Sequence, residues 1–116
     1  MGGSLSGTID LMLLAILRAG PGHGYAIIAE LRERSGGEFD VAEGTVYPVL
    51  HQLERDGLLE SATTSAQGRR RRVYRITAEG VKASESRVSA WRIYTAAVES
   101  VIAGRRRVGL SMEALA

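Results

Sequence analysis

A short segment, residues 43–57, carries side chains suited to binding a polyanion. Val46, Leu50 and Leu53 recur in it at spacings of four and three residues, which predicts a helix with one buried face. Gly57 is predicted to end this helix, because a residue without a β-carbon suits the C-terminal cap. The face opposite the apolar residues carries Thr45, Tyr47, Pro48, His51, Gln52 and Arg55.

The start of this helix is the part best suited to an anion. Pro48 must lie near it, where a missing amide donor does least harm. The helix dipole favours negative charge there, so Thr45 and Tyr47 are candidates for phosphate contacts. Tyr47 alternatively packs between the helix and the hairpin that follows. His51 and Gln52 either read base edges or remain solvated.

Charge is distributed unevenly along the 116 residues. Residues 1–60 hold four arginines and nine acids, a net charge of −5, whereas residues 61–116 hold eleven basic residues and four acids, a net charge of +7. Five arginines and no acid lie between Glu60 and Glu79. This asymmetry indicates a polyanion that contacts mainly the second half of the chain. A solvated charged face is the alternative interpretation.

Two helices are predicted ahead of residue 43. Thr8 should cap the first, over about residues 9–19, which is apolar nearly all round and is expected to be the most buried element. The second begins near His23. Its core-facing residues, at three-residue steps, are predicted to be Tyr25, Ile28 and Leu31. Tyr25 alternatively buries its ring and extends its hydroxyl to a phosphate.

After Gly57 the pattern becomes extended and predicts a β-hairpin. Its strands cover residues 58–64 and 71–77, and a glycine-containing tip covers residues 65–68. Alternation places Tyr74 and Ile76 on one face of the second strand.

The arginines cluster at the tip of this hairpin. Arg69 and Arg70 follow Gly68 and are the most exposed of the run, so this tip is predicted to contact phosphates. Arg72 shares a strand face with Tyr74 and is the arginine most suited to a structural role, with its stem on apolar surface.

A last helix is predicted from Thr77, its cap, to about Ala103. Residues spaced alternately by three and four form a heptad stripe of Val81, Ser84, Val88, Trp91, Thr95, Val98 and Ile102. About 26 residues span about 39 Å, which is longer than a compact domain of this size can cover. We therefore expect a homodimer whose interface contains Val81, Val88, Trp91, Thr95, Val98 and Ile102. A helix folded back on its own domain is the alternative.

Trp91 on this stripe allows two interpretations. It is either a large apolar anchor between subunits or one wall of a cleft that stacks a planar aromatic ligand. In the second case Ser84 and Thr95 would leave room and offer hydroxyls, and the first helix would contribute Met12 and Ile16.

The composition limits other chemistry. The chain has no cysteine and only two histidines, His23 and His51, so neither a metal site nor a cofactor is expected. No catalytic triad, phosphate loop or paired carboxylates are present, which argues against an enzyme. The longest apolar run, residues 11–17, is too short for a membrane span, and a cytoplasmic protein is expected.

Five segments together resemble the PadR family of bacterial transcriptional regulators, in particular its smaller members with a single C-terminal dimerisation helix. The segments are Leu11–Leu17, Gly22–Tyr25, Glu43–Leu50, Leu53–Leu58 and Gly68–Gly80. The order of helices, hairpin and trailing helix is that of a winged helix-turn-helix protein. The fold class is thus expected to be mainly α with a small β-hairpin (α+β), followed by a long dimerisation helix.

The resemblance implies a homodimeric repressor that binds an inverted-repeat operator in double-stranded DNA and is released by a small aromatic or drug-like molecule. It implies that the third helix enters the major groove and that the hairpin, or wing, reaches the backbone or minor groove. The DNA-binding roles would then fall on Tyr25, Thr45, Tyr47, Pro48, His51, Gln52, Gly68, Arg69 and Arg70.

The expected organisation is a flexible N-terminus (1–7), a DNA-binding domain (8–77), a dimerisation helix (78–104) and a basic tail (105–116). The main alternative function is a winged-helix module that mediates protein–protein contacts without specific DNA binding, although such a module should lack a basic wing. A metal-sensing or MarR-like repressor is a second alternative. The absence of cysteine argues against a metal sensor.

Overall fold

The computed structural model describes residues 5–104, which form four helices and a three-stranded antiparallel sheet. In chain order the elements are α1 (Leu5–Arg18), β1 (Gly22–His23), α2 (Gly24–Arg34), α3 (Glu43–Arg55), β2 (Leu59–Ala66), β3 (Arg69–Ile76) and α4 (Ala78–Ile102). This architecture confirms the mainly α fold with a hairpin and a long final helix. None of the described helices combines the length and apolar character that a membrane span requires.

The first helix lies at the centre of the fold, as predicted. It contacts α2, α3, α4 and β3, and its buried side chains are Ile9, Leu13, Leu14, Ile16 and Leu17. The prediction that Thr8 caps this helix is wrong, because the helix begins at Leu5. Serine and glycine disfavour a helix by at most about 1 kcal/mol per residue, so Ser6 and Gly7 do not prevent the earlier start.

The third helix buries Val46, Leu50 and Leu53, which confirms the predicted stripe. It ends in a Schellman motif at Gly57, whose φ is 78°. The Gly57 amide donates to the Glu54 carbonyl at 3.0 Å, and the Leu58 amide donates to the Leu53 carbonyl at 2.9 Å. The glycine is needed there because this left-handed conformation is costly for other residues.

Pro48 lies further into α3 than a first-turn position. It is the sixth residue of the helix, which begins at Glu43. Because proline has no amide hydrogen, the carbonyl of Gly44 lacks its usual helical donor at this point. Pro48 is exposed, so that carbonyl lies on the polar side of α3 rather than in the core.

The predicted core face of α2 is confirmed at Leu31 and wrong at Tyr25. The buried residues are Gly24, Ile27 and Leu31, whereas Tyr25 is 64% exposed and Ile28 is half-buried. A three-residue step drifts around a helix of 3.6 residues per turn, so spacings of three and four describe the buried side better.

The sheet contains a two-residue strand that the sequence pattern does not predict. β1 pairs with β3 through Gly22 opposite Tyr74 and His23 opposite Val73. On the other edge of β3, β2 pairs in register from Leu59–Ile76 to Ala66–Arg69. The hairpin tip is shorter than expected and consists of Gln67 and Gly68, both at positive φ, as a two-residue hairpin turn requires.

The fourth helix begins as predicted, with Thr77 as its cap. The Thr77 hydroxyl accepts a hydrogen bond from the Gly80 amide at 3.0 Å and donates to the Gly57 carbonyl at 2.7 Å. The start of α4 is thereby joined to the turn that ends α3. The helix ends at Ile102, and the basic tail at 105–116 lies outside the described residues.

Two ion pairs join α1 to α4. Arg87 lies 3.4 Å from the Asp10 carboxylate, and Arg18 lies 3.7 Å from that of Glu85. Burial raises the pKa of Asp10 above its ordinary 3.8, the Arg87 guanidinium lowers it, and Asp56 adds a smaller upward shift. The ionised form of Asp10 is therefore disfavoured by the fold, and Arg87 offsets part of this penalty.

We expect Arg87→Ala to lower the melting temperature more at pH 7 than near pH 4. Without Arg87 the pKa of Asp10 should rise further, and a raised pKa in the folded state means that stability present below pH 3.8 is lost as pH rises through the folded pKa. Thermal unfolding at both pH values measures this difference. Arg18→Ala, which removes the other α1–α4 pair, is the control, and equal losses at both pH values for Arg87→Ala would contradict the assignment.

Candidate nucleic-acid interface

The side of α3 that faces away from the core is polar and accessible. Thr45, Pro48, Gln52 and Arg55 are exposed and recur at spacings of three and four, and His51 is exposed beside them. Because α3 begins at Glu43, Thr45 is in its first turn. The Ala42 cap has no side-chain hydrogen bond, so the first turn has no side-chain acceptor from its cap residue.

Tyr47 is half-buried and packs against α2. A β-carbon at Gly24, the first residue of α2, would overlap the Tyr47 hydroxyl and ring. The His51 ring lies 6.4 Å from the Tyr47 ring, tilted by 46°. The Tyr47 ring therefore packs against the first residue of α2 and limits how closely α2 and α3 approach each other. On its other side Tyr47 lies next to His51, which is on the exposed side of α3.

Gln52 already has hydrogen-bond partners on its own helix. Its amide nitrogen donates to Asp56 at 3.0 Å, and its amide oxygen accepts from Arg55 at 2.8 Å. All three side chains are exposed. A base contact by Gln52 would require exchange of these partners, whereas Arg55 can contact a phosphate with its remaining donors.

Tyr25 lies where α2, α3 and the wing meet. A hydrogen-bonding interaction with Glu43 is the main cause of a raised pKa for the Tyr25 hydroxyl, with a smaller upward contribution from Tyr47. Arg69 is close enough to lower that pKa by its charge. The exposed Tyr25 thus lies within electrostatic range of both Glu43, in the first turn of α3, and Arg69, at the tip of the wing.

His23 connects α2 to the wing. Its Nδ1 accepts a hydrogen bond from the Ala26 amide at 3.3 Å and so caps α2. Its Nε2 lies 3.0 Å from Nη1 of Arg71. This placement follows from the pairing of His23 with Val73, because Arg71 precedes Val73 by two residues in β3 and shares its strand face.

The arginines of the wing differ in their surroundings. Arg72 donates to the Ser61 hydroxyl at 2.9 Å, and Ser61 donates to the Glu54 carboxylate at 2.7 Å. Through these two hydrogen bonds Arg72 connects the wing to α3. Arg75 pairs with Glu60 at 3.7 Å. Arg70 is exposed and makes no hydrogen bond or ion pair within residues 5–104.

The residues expected to bind an effector are divided between two cavities. Trp91 borders one of about 420 Å³ between α1 and α4, together with Thr8, Asp10, Leu11, Arg87, Ala90 and Tyr94. Met12 and Ile16 border another of about 250 Å³, with Phe39. Within one chain these two groups do not form a single site.

The two hydroxyls predicted for that site face elsewhere. Ser84 is fully buried, and its hydroxyl has no hydrogen-bond partner within the described part of the chain. The Thr95 hydroxyl donates to the Trp91 carbonyl of its own helix at 3.0 Å. The Trp91 and Tyr94 rings lie 6.1 Å apart, so Tyr94 is a neighbour of Trp91 that the heptad stripe did not indicate.

The second half of α4 leaves apolar side chains in solvent. Along the predicted interface, Val81 and Val88 are half-buried in their own chain, whereas Val98 is 39% and Ile102 is 72% exposed. Trp91 and Tyr94 are each 37% exposed. The exposed apolar surface therefore grows towards the end of the helix.

Sequence reasoning did not assign a role to His23, Gly24, Glu43 or Arg71. Histidine is not among the preferred helix caps, and the strand pattern gave no partner for Arg71 between the exposed Arg70 and the structural Arg72. For Gly24 the only signal was the glycine itself, which allows another side chain to approach the backbone closely, and the sequence did not indicate Tyr47 as that neighbour. The pairing of His23 with Arg71 depends on β1, which was not predicted.

Comparison with known proteins gives consistent matches. The family model described as the transcriptional regulator PadR-like family matches residues 13–86. The transcriptional regulator Rv3488 of Mycobacterium tuberculosis is 50% identical over 58 residues, which are 50% of this chain and 51% of that protein. The match thus spans about half the length of that curated relative.

Solved structures extend the similarity over more of the chain. A transcriptional regulator from Clostridium thermocellum has a TM-score of 0.76 and 28% identity, over 81% of this chain and 89% of that one. A PadR family transcription regulator from Clostridium difficile R20291 has a TM-score of 0.72 and 31% identity, over 81% of this chain and 97% of that one.

We expect Gly24→Ala to destabilise the fold by about 1–3 kcal/mol, because its methyl group would displace Tyr47. The loss should be smaller when Tyr47 is first replaced by leucine. Denaturant unfolding of the single and double variants measures the coupling. Gly44→Ala is the matched control, since a β-carbon there meets nothing within 4 Å and should stabilise α3 by up to about 1 kcal/mol. Equal losses in both Tyr47 backgrounds would contradict this account.

Proposed function

The chain belongs to the PadR-like family of transcriptional regulators, and on that premise we propose that it is a homodimeric, sequence-specific DNA-binding repressor released by a small aromatic effector. The observation that carries the DNA-binding part is that the polar side of α3 and the arginine-rich wing are both exposed, with Tyr25 within electrostatic range of Glu43 in α3 and of Arg69 in the wing. A helix in the major groove with a basic hairpin beside it uses such a surface.

In the proposed complex α3 lies in the major groove. Thr45 and Pro48 approach the DNA from its first turns, and His51 and Gln52 are the candidates for base contacts. Tyr25 holds a phosphate through its exposed hydroxyl, and Tyr47 supports the helix from its half-buried position. The tip of the wing contacts the DNA backbone through Gly68, Arg69 and Arg70.

The homodimer is proposed from the surface of α4. A lone chain would leave Val98, Val101 and Ile102 in water, together with much of Trp91 and Tyr94. Burying such a stripe against a second copy is favourable by roughly 25 cal/mol per Å² of apolar surface. A two-fold dimer would present two α3 helices to the two halves of an inverted repeat.

The effector site is proposed at the cavity beside Trp91. Trp91 and Tyr94 supply aromatic surface for a planar ligand, and Asp10 and Arg87 supply opposite charges at the same cavity. Ligand-dependent quenching of Trp91 fluorescence would support the site, since this is the only tryptophan. Trp91 as a simple interface anchor remains the competing proposal, and no quenching across a broad panel of aromatic compounds would favour it.

The alternative function is a winged-helix module for protein–protein contact. The two functions are separated by a band shift with the DNA upstream of the protein's own gene, at two salt concentrations and with nonspecific competitor. A shift that resists competitor and weakens with salt supports a sequence-specific regulator. Failure to shift that DNA, or any duplex selected from a random pool, favours the interaction module.

The wing is tested by the double variant Arg69→Ala/Arg70→Ala. If each arginine neutralises one phosphate, the slope of log affinity against log salt should become shallower by about 2. Fluorescence anisotropy titrations over a range of salt concentrations measure the slope. The control variant Arg32→Ala/Arg34→Ala removes the same charge from the far end of α2 and should leave the slope unchanged. If the wing variant also leaves the slope unchanged, the wing does not contact phosphates.

The dimer is tested by Val98→Glu. The added charge should prevent burial of the α4 stripe, give a monomer in sedimentation equilibrium and weaken operator binding by at least about tenfold. Ala96→Glu adds the same charge on the opposite side of α4 and should remain dimeric. A Val98→Glu protein that is still a dimer with unchanged affinity would argue for a different interface.

A further inference from the structure

Two hydrogen-bond donors flank the imidazole ring of His23 where β1, β3 and the start of α2 adjoin. Nη1 of Arg71 lies 3.0 Å from Nε2 of His23, and the opposite ring nitrogen, Nδ1, lies 3.3 Å from the Ala26 amide nitrogen. Arginine carries only donors, and an amide nitrogen is also a donor. The imidazole ring of His23 is therefore approached by a donor at each of its nitrogens.

A neutral imidazole can satisfy only one of them, because one of its nitrogens carries the proton and the other accepts. Ala26 is the third residue of α2, so its amide has no acceptor within the helix, and the contact is partly buried. Arg71 is exposed and can bond to water instead. Leaving the partly buried amide unpaired costs more than leaving Arg71 to solvent.

The favoured tautomer of His23 consequently accepts at Nδ1 and carries its proton on Nε2. Nε2–H then points at a guanidinium group that can only donate, so the 3.0 Å approach is not a satisfied hydrogen bond. An acceptor with negative charge that lies beside both groups, within hydrogen-bond distance of each, would satisfy both. Such a position is suited to an anion.

We propose that His23 and Arg71 form a clamp for one phosphate of the DNA backbone, a site that rests on the DNA-binding function proposed above. A non-bridging phosphate oxygen accepts from His23 Nε2–H, and the Arg71 guanidinium donates to the same phosphate. Arg69 shares the strand face of Arg71, and its charge reaches the neighbouring Tyr25. The clamp therefore continues the basic surface from the tip of the wing to the start of α2.

The clamp positions the protein and does not read sequence. A phosphate contact has the same energy on any duplex, so its loss should weaken operator and nonspecific DNA by the same factor. The contact also ties the wing to α2 at the same phosphate. His23 thereby acts twice, as the cap of α2 through Nδ1 and as a DNA ligand through Nε2.

The variant His23→Asn separates these two roles. Asparagine is a good helix cap, so α2 should keep its capping bond, but its side chain is too short to offer a donor at the position of Nε2. Arg71→Ala removes the charged half of the clamp. Arg34→Ala, which removes an arginine paired with Glu30 near the end of α2, controls for net charge.

Binding is measured by anisotropy with an operator duplex selected from a random pool and with an unrelated duplex. Arg71→Ala should make the salt slope shallower by about 1, and His23→Asn should weaken both duplexes by about tenfold, because it removes a hydrogen-bond donor to the phosphate. The double variant should bind like Arg71→Ala alone if both groups hold one phosphate.

The tautomer provides a test that does not depend on DNA. Nitrogen-15 NMR of the free protein should show His23 protonated at Nε2 and unprotonated at Nδ1, with the His51→Gln variant used to assign the two histidines. Protonation at Nδ1 would overturn the clamp, since Nε2 would then accept from Arg71 and the pair would be satisfied.

The outcomes separate the clamp from the proposed function. If the wild type binds DNA with salt dependence while His23→Asn and Arg71→Ala both behave like Arg34→Ala, the clamp is wrong and DNA binding stands. If the wild type binds neither duplex, the DNA-binding function fails and the clamp fails with it. Should His23→Asn not fold, as judged by thermal unfolding, Arg71→Ala and the tautomer decide the question.

Discussion

The central strand β3 is hydrogen bonded along both edges, and this constraint positions the side chains of the candidate interface. On one edge β1 brings the start of α2 against the wing, and on the other edge β2 completes the hairpin. Tyr74 is buried on one face of β3, which fixes the direction of every second residue along the strand. A slip of one residue in the pairing of β1 with β3 would separate His23 from Arg71, and a slip in the pairing of β2 with β3 would separate Ser61 from Arg72.

This alternation places the four consecutive arginines of the wing, residues 69–72, on its two faces. Arg72 points to the same face as Tyr74 and is held through Ser61 by Glu54 of α3, whereas Arg71 points to the opposite face and meets His23. Surface contacts of this kind contribute little stability one by one. Together they tie the two faces of the wing to α3 and α2, so the orientation of the wing depends on the two helices that it accompanies.

Periodic patterns allowed much of the fold to be predicted. The buried stripe of α3, the Schellman glycine at residue 57, the hairpin and the Thr77 cap all depend on local spacing and cap chemistry. β1 could not be predicted, because two residues have no period and form a strand only when β3 is beside them. The prediction that Tyr25 faces the core was wrong for a related reason. An aromatic residue near the start of a helix can face either the core or the solvent, and the choice depends on neighbours such as Glu43 that the sequence does not identify.

The position of α1 limits how the α4 surface can influence DNA binding. α1 contacts α2, α3, α4 and β3, and it lines the Trp91 cavity through Asp10 and Leu11. A ligand in that cavity changes DNA affinity only if it binds one arrangement of α1 and α4 more tightly than another. The Asp10–Arg87 pair is the polar contact that such a shift would alter first, because both groups border the cavity. The buried residues of α1 and α3 belong to the same apolar core. Because such a core is closely packed, a displacement of α1 would also displace side chains of α3. Regulation by a small molecule at this cavity therefore requires two arrangements of α1 and α4 that differ in their affinity for the ligand, which is a stricter condition than the presence of a cavity.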